Sequence, residues 1–187
     1  MLLDPIKLDD KNLCAVFTLS SSDMTKVLGE RFAAAVLIKP DSCTAFIAPP
    51  STGKTTLVSG IYAGLGLNYG TLDDMMVGVN GIHSAHTDKG ILLRHYDMAV
   101  SPGDEDRLNI PSHWTAFDNR AERQAFHLVE HATKCRGNNF DFAFRLSRDT
   151  NNTRRAEFYC ADEHKNHQAV QEFLYDNAGL ELCREVA

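Results

Sequence analysis

Apolar positions near the start of the chain predict a strand followed by a helix. Leu13 to Leu19 is apolar and carries the β-branched and aromatic residues typical of strands. Ser20-Ser21-Ser22 offers hydroxyls that can cap the N-terminus of a helix. Apolar residues then recur at helical spacing, at Met24, Val27, Leu28, Phe32, Ala35 and Val36. Lys39-Pro40-Asp41 ends this helix, because proline cannot continue it.

The next segment repeats this order of strand and helix. Cys43 to Ala48 is an apolar run, and a helix that starts at Lys54 ends near Gly64 and Gly66. From Leu67 to Gly90, glycines and polar residues show no sustained period. We therefore expect a long irregular segment there, of the kind that is usually functional or mobile.

Two further strands end on acidic residues. Ile91 to Asp97 has strand character and closes on an aspartate. Ala125 to His131 predicts another strand, with Leu128 and Val129 buried and Glu130 at its end. Acids at strand ends are candidates for function.

The last part of the chain predicts a strand pair and a helix. Apolar and polar residues alternate over 140–147, with Phe140, Phe142, Phe144 and Leu146 on the apolar side. Asp149 to Asn152 forms a turn, and the return strand alternates at Ala156, Phe158 and Cys160, so the two strands should pair antiparallel. A final helix is marked by Ala169, Val170, Phe173 and Leu174 and closes near Gly179.

Strands that alternate with helices, followed by an antiparallel pair, predict an α/β domain with a mixed parallel and antiparallel sheet. A chain of 187 residues is long enough for one sizeable core, so we expect residues 1–187 to form a single domain.

Charge and cysteine content narrow the class of protein. The formal net charge is −6, so the chain has no overall positive charge that would attract nucleic acid. Tight direct binding of RNA is therefore disfavoured. The cysteines are odd in number and widely spaced without a C-x-x-C pair, which favours a reducing cytoplasm. Neither a signal peptide nor a membrane-length apolar stretch is present, so we expect a cytoplasmic protein without a membrane partner.

The segment from Ala48 to Thr56 carries the strongest motif. It matches the phosphate-binding pattern G-x-x-x-x-G-K-[ST] except that alanine, the smallest substitute for glycine, stands first. Between a strand and a helix, such a turn points backbone amides and a helix N-terminus at one phosphate group. The predicted phosphate-binding residues are Ser51, Thr52, Gly53, Lys54, Thr55 and Thr56. The motif predicts a P-loop NTPase-like, three-layer domain with the loop at the carboxyl ends of its strands.

Three residues are predicted to serve magnesium. The hydroxyl of Thr55 can ligate the ion, and a phosphate loop needs a second anchor, usually an acid that ends a neighbouring strand. Asp97 is the first candidate for that anchor. Glu130 can polarise an attacking water or hold a water of the magnesium shell. Lys54 and Glu130 are therefore the predicted catalytic residues.

Histidines offer a competing metal chemistry. His127 to His131 matches H-x-x-E-H, a zinc-protease pattern that needs a helix to bring both histidines to one ion. The surrounding residues predict a strand, on which the histidines lie too far apart, so zinc is disfavoured. The pairs His83 with His86 and His164 with His167 are expected to face solvent rather than bind metal.

Several ordered stretches resemble the TsaE (YjeE) family, small bacterial ATPases of tRNA threonylcarbamoyladenosine biosynthesis. The resemblance spans roughly Phe17 to Glu130, with a possible match further on at Arg154-Arg155. Its stretches are Thr25 to Arg31, Gly53 to Gly60, Leu65-Gly66, His95-Tyr96-Asp97 and Leu128-Val129-Glu130. Only the phosphate loop is specific by itself; the order and spacing of the stretches carry the rest.

The resemblance implies a function and its partners. A member of this family binds and hydrolyses ATP with Mg²⁺ and acts on the TsaD–TsaB complex, which modifies adenosine 37 of tRNA. Carried over, Lys54, Thr55 and Thr56 would hold phosphates and magnesium, Asp97 would take the aspartate of the His-x-Asp stretch, and Glu130 the glutamate of the Glu-Trp pair.

The chain departs from the family pattern at several positions. His131 replaces the tryptophan, and Ala48 and Ser51 replace loop glycines. The Ser-Pro-Thr switch segment is absent, with Gly70-Thr71 nearest to it, and Ala99-Val100 replaces a tyrosine-arginine pair. These losses bear on hydrolysis and partner contacts more than on nucleotide binding.

Two alternatives stay open. A small-molecule P-loop kinase would need an arginine-rich lid, which Arg94, Arg107, Arg120 and Arg123 could supply. A nucleotide-dependent binding module with little hydrolysis would agree with the lost switch segment.

Overall fold

A computed structural model describes residues 10–38, 42–69, 75–77, 82–86, 92–96, 125–130, 140–149 and 153–177. The strands are β1 (Leu13–Leu19), β2 (Cys43–Ile47), β3 (Met75–Val77), β4 (Ile82–His86), β5 (Leu92–Tyr96), β6 (Ala125–Val129), β7 (Phe142–Arg148) and β8 (Arg154–Cys160). The helices are α1 (Ser22–Val36), α2 (Lys54–Gly64) and α3 (Gln168–Asp176), with short 3-10 turns at Asp10–Asn12 and Asp162–His164.

The described strands form one mixed sheet in the order β1-β8-β7-β2-β6-β5-β4-β3. Its centre is parallel: β2 runs parallel to both β6 and β7, and β5 runs parallel to β6. Its two sides are antiparallel, with β8 between β1 and β7 and with β4 between β3 and β5. The mixed α/β sheet and the antiparallel pairing of the last two strands are therefore confirmed.

The predicted elements of the first part lie close to their expected bounds. Ser21 is the N-cap of α1, and its hydroxyl accepts a hydrogen bond from the backbone N–H of Met24 at 3.1 Å. The second strand ends at Ile47, and the helix after the loop begins at Lys54 as expected. Of the residues whose spacing predicted α1, four are buried in the core and Met24 packs against it, whereas Val27 is only partly buried. The four are Leu28, Phe32, Ala35 and Val36.

The expectation of a purely irregular segment from Leu67 to Gly90 is wrong. The segment contains β3 and β4, which pair with each other and, through Ile82 opposite Tyr96, with β5. β3 has only three residues, and the five residues of β4 include two histidines and a serine, so neither strand shows an apolar run in the sequence. Their stability comes from pairing with a neighbour instead.

The core lies between the helices and one face of the sheet. The Phe32 ring of α1 stands edge-on to four other phenylalanine rings at centroid distances of 4.9 to 5.5 Å: Phe142, Phe144, Phe158 and Phe173. On the other side of the strand pair, Arg145 and Arg155 are about half exposed. The described helices thus form one layer against this face of the sheet.

Two expectations about which residues are exposed are wrong. The strict alternation predicted over 140–147 fails at Asp141 and Ala143, which are both buried. His164 was expected to face solvent and is instead buried, with its Nε2 2.8 Å from Oδ1 of Asp141. The backbone N–H of Cys43 donates to the other Asp141 oxygen at 2.8 Å. Burial is tolerated because both carboxylate oxygens are hydrogen-bonded.

His167 is exposed, as expected, and caps the N-terminus of α3. No helix of the described residues combines the length and apolar character that crossing a membrane requires.

Candidate functional site

The phosphate-loop motif lies at the carboxyl edge of the parallel centre of the sheet. The loop leaves β2 after Ile47 and enters α2 at Lys54. Because β2 lies between β6 and β7 and is parallel to both, the carboxyl ends of three strands meet at this edge. Ligands of α/β proteins characteristically bind at such an edge.

The loop turns sharply through two left-handed residues. Ser51 has φ 62° and Gly53 has φ 106°, and glycine is the residue that adopts such a conformation without strain. The hydroxyl of Thr52 donates a 2.7 Å hydrogen bond to the carbonyl of Pro49, and the residue is almost fully buried. The Thr52 side chain therefore shapes the loop, which leaves its backbone amide for a ligand.

The loop amides are open. Within the described part of the chain, no backbone N–H from Ser51 to Thr56 donates a hydrogen bond to another group, and the first paired amide is that of Leu57, bonded to the carbonyl of Gly53 at 2.9 Å. Gly53 has no side chain that could cap the helix. Six adjacent donors at the positive end of a helix dipole make a site for an anion.

Lys54 and Thr55 complete the loop. The Lys54 ammonium group donates to the carbonyl oxygen of Ala48 at 3.2 Å, so its side chain folds back across the mouth of the loop. Thr55 is exposed, with its hydroxyl in the first turn of α2. These placements fit a phosphate held by lysine and a hydroxyl free to ligate magnesium.

Glu130 lies at the end of β6 as predicted, but it is enclosed. Its carboxyl group is almost completely buried, and Oε1 lies 3.0 Å from Nε2 of buried His95 on β5. Val129 pairs with Ala45 on β2, which puts Glu130 level with Phe46, just before the loop. Glu130 therefore lies at the same edge as the loop.

Two tyrosine rings lie beside the His95 ring of this pair. The rings of Tyr62 and Tyr69 lie 6.0 and 5.8 Å from the His95 ring. Burial raises the pKa of Tyr62 far above its usual value, and the neighbouring Tyr69 and Glu130 raise it further. The surroundings of Glu130 are thus crowded and poorly solvated.

Asp97, the other predicted magnesium anchor, lies outside the described residues, as does His131. The strand before Asp97 ends at Tyr96, which pairs with Val129 of β6. His127 lies on a strand, as expected. The side chains of the four arginines that could form a kinase lid also lie outside the described residues. They are Arg94, Arg107, Arg120 and Arg123.

One residue of this edge was missed in the sequence. Arg154, the first residue of β8, packs against Gly53 of the loop. The only earlier signal was its place in the Arg154-Arg155 match, which gave it no role.

A second polar group lies elsewhere. Single oxygens of Asp141 and Glu163 and a ring nitrogen of His164 lie within 4.8 Å of one another. Asp141 precedes β7, and its backbone N–H donates to the carbonyl of Cys43 at the start of β2, so this group is at the edge opposite the phosphate loop. Asp141 accepts a hydrogen bond from the Cys43 amide and contacts His164, so this group holds β2, β7 and the turn after β8 together. A structural role explains the group.

Comparison with known proteins finds a similar structure but no family profile or curated sequence that is similar to this chain. No family profile and no curated protein sequence matches the chain. Among solved structures, the crystal structure of YdiB from Bacillus subtilis is similar, with a TM-score of 0.57 and 16% sequence identity over 87% of this chain and 95% of YdiB. YdiB is a TsaE (YjeE) family protein, of the family that the sequence resembles. This likeness confirms the predicted fold: the chain has the mixed α/β fold of YdiB.

Proposed function

We propose that this chain is a magnesium-dependent ATPase of the TsaE type and an accessory protein in the N6-threonylcarbamoyladenosine modification of tRNA at position 37. The observation that carries the proposal is the phosphate loop, with its open amides from Ser51 to Thr56 at the N-terminus of α2. The shared fold with YdiB supports it.

Each loop residue has a part in binding. The amides of Ser51, Thr52 and Gly53 surround the phosphates, while Lys54 and the amides of Thr55 and Thr56 bind their terminal oxygens. The Thr55 hydroxyl, Asp97 and Glu130 would hold magnesium directly or through water. Magnesium, when bound, supplies positive charge that stabilises the phosphate oxygens during transfer.

The partners follow from the resemblance and from charge. A chain with a net charge of −6 is poorly suited to bind tRNA by itself, so its effect on tRNA passes through TsaD and TsaB homologues. The interaction with these proteins depends on ATP or ADP in the loop.

The proposal is tested with the purified chain and with TsaD and TsaB homologues from the same organism. We expect ATP-dependent co-elution of the three proteins and release of phosphate from ATP with magnesium. Lys54→Ala should lower phosphate release by about 100-fold or more, because it removes a charge from the phosphates. No phosphate release and no co-elution under any nucleotide condition would overturn the proposal.

A specific contact favours a second candidate, a nucleotide-dependent binding module with little hydrolysis. Glu130, the candidate water-polarising acid, is buried and hydrogen-bonded to His95 rather than open to the loop. Stable ATP binding and partner capture without phosphate release, also in the presence of both partners, would decide for this candidate.

A further inference from the structure

Arg154 stands where three elements meet. It begins β8 and pairs with Leu19 at the end of β1 and with Arg148 at the end of β7. Since β8 runs antiparallel to its neighbours, its first residue lies at the same edge of the sheet as the phosphate loop. The chain passes from Leu19 into α1 at this edge as well.

The side chain of Arg154 links α1 to the phosphate loop. Its Nη1 donates to the Thr25 hydroxyl at 3.2 Å, and its Nη2 donates to the Ser22 hydroxyl at 3.1 Å. Its Nε and Cδ lie against Gly53, where an added Cβ would be 3.3 and 3.4 Å from them. The guanidinium group is therefore fixed by the first turn of α1 and abuts the residue that caps α2.

Among the described residues, no acidic side chain compensates the charge of Arg154. Its Nε is buried and donates to no acceptor, and no carboxylate of the described residues pairs with the guanidinium group. By contrast, the neighbouring Arg155 is half exposed and pairs with Glu157 at 3.2 Å. A buried donor without an acceptor is costly, and here it adds positive charge to a helix N-terminus that is already positive. An anion in the loop would offset the positive charge that gathers there, through its field.

We propose that Arg154 is a positioning residue for the phosphate loop. Its side chain holds Gly53 in place, and its unpaired charge adds to the electric field that binds the phosphates of the nucleotide. The proposal rests on the proposed nucleotide binding. Arg154 acts through Gly53 and through its field, without a direct bond to the nucleotide. It makes the start of β8 part of the nucleotide site.

The test is calorimetric titration of the full chain with Mg-ATP, in parallel with thermal melting without nucleotide. R154M keeps the length of the side chain and removes its charge, and we expect the ATP Kd to rise about tenfold. R154K should recover part of the loss, because it restores the charge but not the two-armed hydrogen bonding. R155Q is the matched control on the same strand, and its ATP Kd should stay within about twofold of the wild type.

The outcomes separate the two proposals. A wild-type chain that binds no ATP overturns the proposed function and this inference together. Wild-type binding with an unchanged ATP Kd in R154M overturns this inference alone, also if R154M melts earlier, since Arg154 would then be only structural. If R154M does not fold, T25V decides: it removes the acceptor of Nη1, and an ATP Kd that does not rise by at least about threefold overturns the inference.

Discussion

The contact between His95 and Glu130 shows how a residue's partners decide its chemistry. Both side chains are almost completely buried, and they lie 3.0 Å apart at the end of parallel strands beside the phosphate loop. A carboxylate in such a place is oriented by its partner. The sequence showed an acid at a strand end but could not show this partner, because the two residues are 35 positions apart.

Glu130→Gln tests the role of this acid. Glutamine keeps the size and the hydrogen bond to His95 but cannot accept a proton, so ATP binding should stay within about twofold while phosphate release falls by about 100-fold or more. Glu163→Gln, an exposed glutamate at the opposite edge, is the control and should change neither. Phosphate release that survives Glu130→Gln would remove Glu130 from the chemistry.

Cys14, which is partly buried, and buried Cys160 form a second interaction at the residue scale. Interaction with the neighbouring Cys160 thiol, aided by the charge of Lys165, lowers the pKa of Cys14 to about 7, against the effect of its burial. Interaction with Cys14, together with burial, raises the pKa of Cys160. One thiolate is therefore favoured in the pair, on Cys14.

The pH dependence of the alkylation rate measures the pKa of the Cys14 thiol. Below the pKa the Cys14 thiol is protonated and slow, and above it the thiolate reacts, so the rate with iodoacetamide should rise through a midpoint near pH 7. Peptide mapping by mass spectrometry should find Cys43 and Cys160, which are buried, much slower. A midpoint for Cys14 near its ordinary value of 9.0 would contradict this account.

At the scale of elements, α1 and α2 cross at unusually short range through glycines. A Cβ on Gly60 would collide with the carbonyl oxygen of Lys26, and one on Gly29 would collide with that of Leu57. The contact brings the first turn of α1, with Ser22 and Thr25, up to the phosphate loop. The helix crossing thus helps to build the site.

Gly60→Ala should be destabilising, since the helices must separate to admit the methyl group. We expect a loss of about 2 kcal/mol in the free energy of unfolding, measured by urea denaturation. Ala63→Ser, at an exposed position of the same helix, should change it by about 0.5 kcal/mol or less. Equal stability of the two variants would show that the helices have room at the crossing.

The sequence predicted the longer elements of this fold and the loop, but not the contacts between distant residues. Phe32 and Leu28 fell on the helical period that marks a core face, and Gly53-Lys54-Thr55 carries its own local geometry. β3 and β4 were missed because their strand structure depends on pairing with a neighbouring strand, which the local sequence does not show. His164, Arg154 and the partner of Glu130 depend on residues more than 20 positions away, which no local pattern reports.

For the whole molecule, the order of the strands explains why the binding groups converge. The parallel centre places the ends of β2, β5 and β6 at one edge, and antiparallel β8 brings Arg154 to that edge from the other direction. Lys54 and Arg154 make this edge locally positive in a chain whose net charge is −6. We therefore expect one anion site among the described residues, at the phosphate loop.

Calorimetric titration of the full chain with Mg-ATP tests this central claim most directly. The wild type should bind one ATP, Lys54→Ala should lose binding by about 100-fold, and Lys26→Ala, an exposed lysine on α1, should bind like the wild type. Absence of binding to the wild type, or equal binding by Lys54→Ala, would contradict the account.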